Sequence, residues 1–97
     1  MDIQLTCRHC ELPLDVREYA SKKVDHVLRH FDGVHSVELV FTNEGLATKV
    51  EMIVSTVRSH RLVATASAPE AKAAVDIVAD KMDRQIKKEK EKLRDQR

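Results

Sequence analysis

Three groups of side chains in this 97-residue chain have types and spacings that could do chemistry. Cys7-Arg8-His9-Cys10 is a C-x-x-C, which suits a redox dithiol or half of a zinc site. A thioredoxin-like dithiol opens a helix directly after a strand, where the helix dipole lowers the thiol pKa; here Pro13 marks the helix start three residues too late. A structural zinc site takes four ligands, and no second C-x-x-C exists, while His9 lies between the cysteines and His35 and His60 are distant in sequence. The simplest reading is a half-buried Cys7, a loop Cys10 and no metal; the alternative is a thiol- or zinc-dependent regulatory module using the pair. His26 and His30 stand at i, i+4, as two ligands on a helix face would. Without a third ligand or a general base of the H-E-x-x-H kind they read as solvated histidines. Asp76 and Asp80 share a helical face and read as solubilising carboxylates. Gly33 and Gly45 are the only glycines and cannot build a phosphate loop. No catalytic residue emerges, so neither an enzyme nor a cofactor is expected.

The third group is cationic. Residues 81–97 hold eight Lys/Arg (Lys81, Arg84, Lys87, Lys88, Lys90, Lys92, Arg94, Arg97) against four acids, a balance of +4. The first eighty residues hold nine against twelve, or −3, so the formal net charge of +1 conceals one basic arm. Glu89, Glu91 and Asp95 interleave with these cations, as they do on many solvated helices. Read as function, the same array is a phosphate-binding face on a rigid helix. Tyr19, Phe31 and Phe41 are the only aromatics, too few to spare for stacking bases, so such a face would read backbone and shape. A protein partner docking on this helix is a third reading.

These residues need elements to hold them. Val75, Val78, Ala79, Met82, Ile86 and Leu93 recur at three- and four-residue steps, predicting a helix over about 69–94 opened by Pro69 and Glu70. Val16, Ala20, Val24, Val27 and Phe31 predict a first helix over about 13–31, with Leu28 at its margin and Asp32-Gly33 ending it. Alternation predicts strands over about 2–7, 36–42, 48–57 and 61–67, with Asn43-Glu44-Gly45 and Arg58-Ser59-His60 as turns. The small Ala64 and Ala66 predict close approach of a helix to the last strand. The order β-α-β-β-β-α over residues 1–97 implies one α+β domain of two layers. Its four-stranded mixed sheet has the first two strands parallel and both helices on one face.

A chain of this length can bury about two-thirds of its unfolded surface and stand without staples. It has no apolar run of about 18 residues to span a membrane, and Met1-Asp2-Ile3-Gln4 is unlike a secretory leader, so a cytoplasmic location is expected.

At these residues the chain resembles the ribosome hibernation-promoting factors, also called ribosome-associated inhibitors or sigma-54 modulation proteins. The resemblance spans essentially the whole sequence. It is strongest over Leu12 to Phe31, with Arg17-Glu18-Tyr19, and over Ala73-Ala74-Val75-Asp76, Asp80-Lys81-Met82, Arg84-Gln85 and Lys88-Glu89-Lys90-Glu91-Lys92-Leu93. It implies a non-enzymatic factor of bacterial stationary phase or stress that occupies the channel of the small (30S) ribosomal subunit. Held against 16S rRNA in the path of messenger and tRNA, it would inhibit translation and favour inactive, dimeric ribosomes. The length resembles the family's short form, which would need a second factor for ribosome dimerisation. The resemblance carries rRNA binding onto Lys23, Lys81, Arg84, Lys88, Lys90 and Lys92; helix geometry adds Lys22, Arg29, Lys87 and Arg94. Two departures stand out: Glu70-Ala71-Lys72 replaces an Asp-Met-Tyr common in the family, and the C-x-x-C is not a family hallmark.

Overall fold

A computed structural model describes residues 2–29, 31, 33–57 and 61–95, with side chains described as far as residue 91. The elements are β1 (Asp2–Arg8), α1 (Leu14–Leu28), β2 (Val34–Glu44), β3 (Ala47–Thr56), β4 (Arg61–Ala68) and α2 (Ala71–Asp95). The strands lie in the order β1-β2-β3-β4. β1 pairs parallel to β2, with Leu5 opposite Leu39, and the other two pairings are antiparallel. This is the α+β architecture, mixed sheet and element order expected from the alternation and the two helical stripes.

The core is one cluster between the helices and one face of the sheet. Val37, Leu39 and Phe41 of β2, Val50, Met52 and Val54 of β3, and Ala64, Ala66 and Ala68 of β4 meet Val16, Ala20, Val24 and Leu28 of α1. They also meet Ala74, Val75, Val78, Ala79, Met82 and Ile86 of α2. Phe41, Leu39, Met52 and Met82 are fully buried, and each such side chain gains about 1.5–3 kcal/mol from leaving water. Ala64 and Ala66 do lie under α2. The opposite sheet face carries Gln4, Glu38, Thr42, Lys49 and Glu51, although Val40 on that face is also covered, at 7 % exposure.

The boundaries differ from the periodicity in instructive ways. Leu28 is not marginal: Val16, Ala20, Val24 and Leu28 form a straight i, i+4 row of buried residues, and Val27 and Phe31 pack at its edge. α1 stops at Leu28, after which the Phe31 amide bonds back to the Leu28 carbonyl. Asp32 lies outside the described residues. Gly33 has φ +97° and accepts from the Val57 amide, so the left-handed residue expected there closes the sheet rather than capping the helix directly. The β2–β3 turn is Gly45-Leu46 alone. Asn43 and Glu44 remain paired in β2, and Gly45 at φ +67° supplies the positive φ that a two-residue hairpin requires. Pro69 precedes α2, whose first hydrogen bond runs from the Ala74 amide to the Glu70 carbonyl. The turn at Arg58-Ser59-His60 lies outside the described residues. No helix among the described residues is long and apolar enough to cross a membrane.

Candidate nucleic-acid interface

α2 is 25 residues long, roughly 37 Å at the rise of an α-helix. Ile86 is its last buried residue among those described, so the segment carrying most of the cations runs on past the core. Two contacts fix the helix on the sheet's edge strand: Lys81 Nζ donates to the Thr65 carbonyl at 2.8 Å, and Gln85 Nε2 donates to the Val63 carbonyl at 2.8 Å. These carbonyls belong to β4, whose other edge pairs with β3. By the rises of strand and helix, the same register brings Arg61, exposed at the start of β4, alongside the turn that carries Lys88. Sequence reasoning passed over Arg61, and its only signal is a cation at the outward phase of the strand.

The helical period divides the basic arm in two. Lys81, Arg84 and Lys88 fall within about 60° of one another on the flank beside β4, whereas Lys87 and Lys90 fall on the flank beside α1. The β4 flank is the more positive. Arg84 pairs with Asp80 at 2.9 Å, Lys81 meets only a neutral carbonyl, and Lys88 makes no ion pair among the described residues.

The α1 flank forms a groove of about 330 Å³ between the helices, lined by Lys23, His26, Phe31, Asp76, Asp80, Asp83, Lys87 and Lys90, with Val27 and Ile86 at its apolar floor. Its charges largely cancel: Lys87 pairs with Asp83 at 3.0 Å and Lys23 with Asp76 at 3.5 Å, while the Lys90 ammonium lies 5.4 Å from the Phe31 ring centroid. Asp76 is therefore not the free solubilising carboxylate its position suggested. It accepts the Tyr19 hydroxyl at 2.5 Å and ties α1 to α2. That bond, with partial burial and the Asp76 charge, holds the phenol pKa above its ordinary value. Nearby, Lys72 bonds Asp15 at 3.2 Å and lowers the Asp15 pKa. Lys72 also lies 5.7 Å from the Tyr19 ring centroid, so the residue standing where the family often has an aromatic joins the same helix clamp.

The remaining expected cations are dispersed. Lys22 lies on the other side of α1, in a shallow depression with Leu5, Arg17, Glu18 and Ser21. Arg29 is exposed and paired with Asp25 at 3.0 Å. The backbone positions of Lys92 and Arg94 are helical, but their side chains, like that of Leu93, lie outside the described residues. His26 is exposed, and His30 lies outside the described residues.

The cysteines are not two presented thiolates. Their Sγ atoms are joined as a disulfide, with the Cα atoms 5.6 Å apart, which leaves no thiolate pair for zinc in this state. Among the described residues no group of three or more His, Cys, Asp or Glu is placed to hold a metal ion.

Residues 3–94 match the family described as Sigma 54 modulation protein / S30EA ribosomal protein. The chain is 36 % identical over 92 residues to the ribosome hibernation promoting factor of Pseudomonas putida strain KT2440, covering 95 % of this chain and 89 % of that protein. It is 35 % identical over 92 residues to the Azotobacter vinelandii protein of the same name, covering 95 % and 85 %. Among solved structures it is similar to the N-terminal domain of Thermus thermophilus Protein Y, with TM-score 0.80 and 25 % identity over 91 % of this chain and 98 % of that one. It also shares its fold with a ribosomal subunit interface protein from Coxiella burnetii, at TM-score 0.87 and 23 % identity over 93 % and 98 % of the two chains.

Proposed function

The chain belongs to the sigma-54 modulation / S30EA ribosomal protein family of non-catalytic, ribosome-associated regulators, and on that footing we propose that it silences translation by occupying the messenger and tRNA path of the small subunit. The observation that carries this reading is the rigid cationic flank of α2: Lys81, Arg84 and Lys88 stand on a helix anchored to β4 by two hydrogen bonds. A pre-ordered row of ammonium and guanidinium groups neutralises RNA phosphates without paying to order a loop. Lys87, Lys90, Lys92 and Arg94 extend the same helix, and Lys22, Lys23 and Arg29 supply cations from α1. With so few aromatics, contact is to phosphate, sugar and helix shape, so 16S rRNA is recognised as a folded surface rather than as a base sequence. The action is competitive: a domain with principal extents of 47 × 21 × 20 Å fills space that messenger and tRNA need. The factor is cytoplasmic, acts as growth stops and favours inactive, paired ribosomes, with a second factor available for the pairing itself.

The test is co-sedimentation of the purified protein with small ribosomal subunits, with and without excess messenger and tRNA. Saturable binding that these ligands displace is expected. The triple variant Lys88→Glu, Lys90→Glu, Lys92→Glu should fold normally by circular dichroism and bind at least about tenfold more weakly, since each reversal removes a phosphate contact. Binding that messenger and tRNA leave untouched would overturn the competitive mechanism.

A further inference from the structure

We propose that Cys7 and Cys10 form a thiol–disulfide exchange site that opens by attack of a dithiol reductant on Cys10 and closes again in the native fold. The two Sγ atoms are bonded across a separation of three residues. Cys10 is exposed, while Cys7, at the end of β1 opposite Phe41, is half-buried against the core. An incoming thiolate therefore reaches the Cys10 sulfur along an open approach, with Cys7 positioned as the leaving group.

Two features argue against a structural staple. A bridge between residues so close in sequence removes little freedom from the unfolded chain compared with one that closes a long loop. The core joining both helices to the sheet is already continuous without it. A third feature favours opening. His9, inside the ring, is the only non-glycine residue with positive φ among those described, at +60°. A residue with a β-carbon holds that conformation at a cost which the reduced loop is free to relieve.

The exchange balances as follows. A thiolate of the reductant bonds to Cys10 Sγ and the Cys7–Cys10 bond breaks. Its electron pair goes to Cys7 Sγ, which takes up a proton. The reductant's second thiolate then attacks its own mixed-disulfide sulfur, releasing Cys10, which is protonated in turn. Protein disulfide and dithiol become protein dithiol and reductant disulfide, a transfer of two electrons and two protons. Closure runs the same steps backward against an oxidised disulfide such as oxidised glutathione. Disulfides of proteins that work in a reducing compartment are mostly transient or redox-sensing; only this point of compartment rests on the proposed ribosomal role. The pair lies at the C-terminal end of β1, whereas Lys90 and Phe31 lie toward its N-terminal end, so opening frees the loop before α1 and leaves the groove between the helices in place.

The experiment uses the full chain and no ribosome. Protein equilibrated with oxidised glutathione is treated with dithiothreitol under native conditions, and free thiols are read by maleimide–polyethylene glycol gel shift alongside circular dichroism. Both thiols should appear together, the fold should persist, and oxidised glutathione should restore the intramolecular bond. In Cys7→Ser the remaining Cys10 should react with dithionitrobenzoate at least about tenfold faster than Cys7 does in Cys10→Ser. A bond that dithiothreitol opens only once denaturant has unfolded the chain, failure to close it in native protein, or a faster Cys7 would each overturn the proposal.

Discussion

Tyr19 donates to Asp76 across the helix pair, Lys23 reaches the same carboxylate oxygen, and Lys72 lies over the Tyr19 ring while binding Asp15. None of this is legible from periodicity, because Tyr19 and Asp76 are 57 residues apart and each looks marginal on its own helix. The clamp has a pH signature. The phenol's folded pKa is raised, so the contribution is complete below the ordinary tyrosine value of about 10 and is lost as pH rises through the raised one. Tyr19→Phe should therefore lower Tm by about 2–5 °C at pH 7, and the gap to wild type should narrow in thermal scans as the pH climbs past about 10. A gap that persists unchanged after the phenol has ionised would show that the hydroxyl's hydrogen bond to Asp76 is not what the substitution removes. The Asp15 pKa is lowered, chiefly by its bond to Lys72, so the sign reverses. Lys72→Met should cost a degree or two of Tm at neutral pH and less once acid has protonated Asp15, the remainder being the contact of Lys72 with the Tyr19 ring.

Most of the architecture is readable at the level of elements because it rests on periods of two and 3.6, which survive imprecise boundaries. The boundaries follow different physics. Leu28 belongs to the core because the crossing of α1 over the sheet selects the 16-20-24-28 row rather than the neighbouring Val27. The hairpin tightened to Gly45-Leu46 because ladder pairing extends through Asn43 and Glu44 as far as the one residue with positive φ allows. Less visible in the sequence is the treatment of the β4 edge. An unpaired edge strand invites pairing with another chain, and here Lys81 and Gln85 occupy two of its carbonyls. Both residues have a second reading on a polar helix face, so no pattern distinguishes an edge cap from a solvated side chain. The double variant Lys81→Met, Gln85→Leu should stay folded in dilute solution yet self-associate on concentration, visible as rising light scattering, while the single variants lie between. Identical scattering of variant and wild type would mean that α2 shields the edge by bulk alone. In the core, Phe41→Ala should cost about 3–5 kcal/mol in urea denaturation, since its ring is fully buried within the single core cluster.

At the scale of the molecule, the sequence reveals that the chain is electrically uneven but not how that unevenness is distributed around α2. A list of ten cations treats them as one surface. The fold sets Lys22 apart on the far side of α1 and puts Lys23, Lys87 and Lys90 in a groove whose acids nearly balance them. Among the described side chains of the β4 flank, Arg84 is paired with Asp80, Lys81 is bonded to the neutral Thr65 carbonyl, and Lys88 makes no ion pair. Phosphate affinity depends on the counterions that the protein's charges release, so cations already neutralised by carboxylates contribute less to its salt dependence. The two rows can therefore be separated by measurement. Replacing Lys88 with Glu should weaken small-subunit binding several-fold at 100 mM salt and flatten the log–log salt dependence by roughly 0.7–0.9, one contact's worth. Replacing Lys87, which is paired with Asp83, with Glu should flatten it by less than half as much, although it too removes one positive charge and adds one negative one. Equal slopes for the two variants would mean that the subunit responds to total charge rather than to the flank, and the path of RNA across α2 would then have to include the groove.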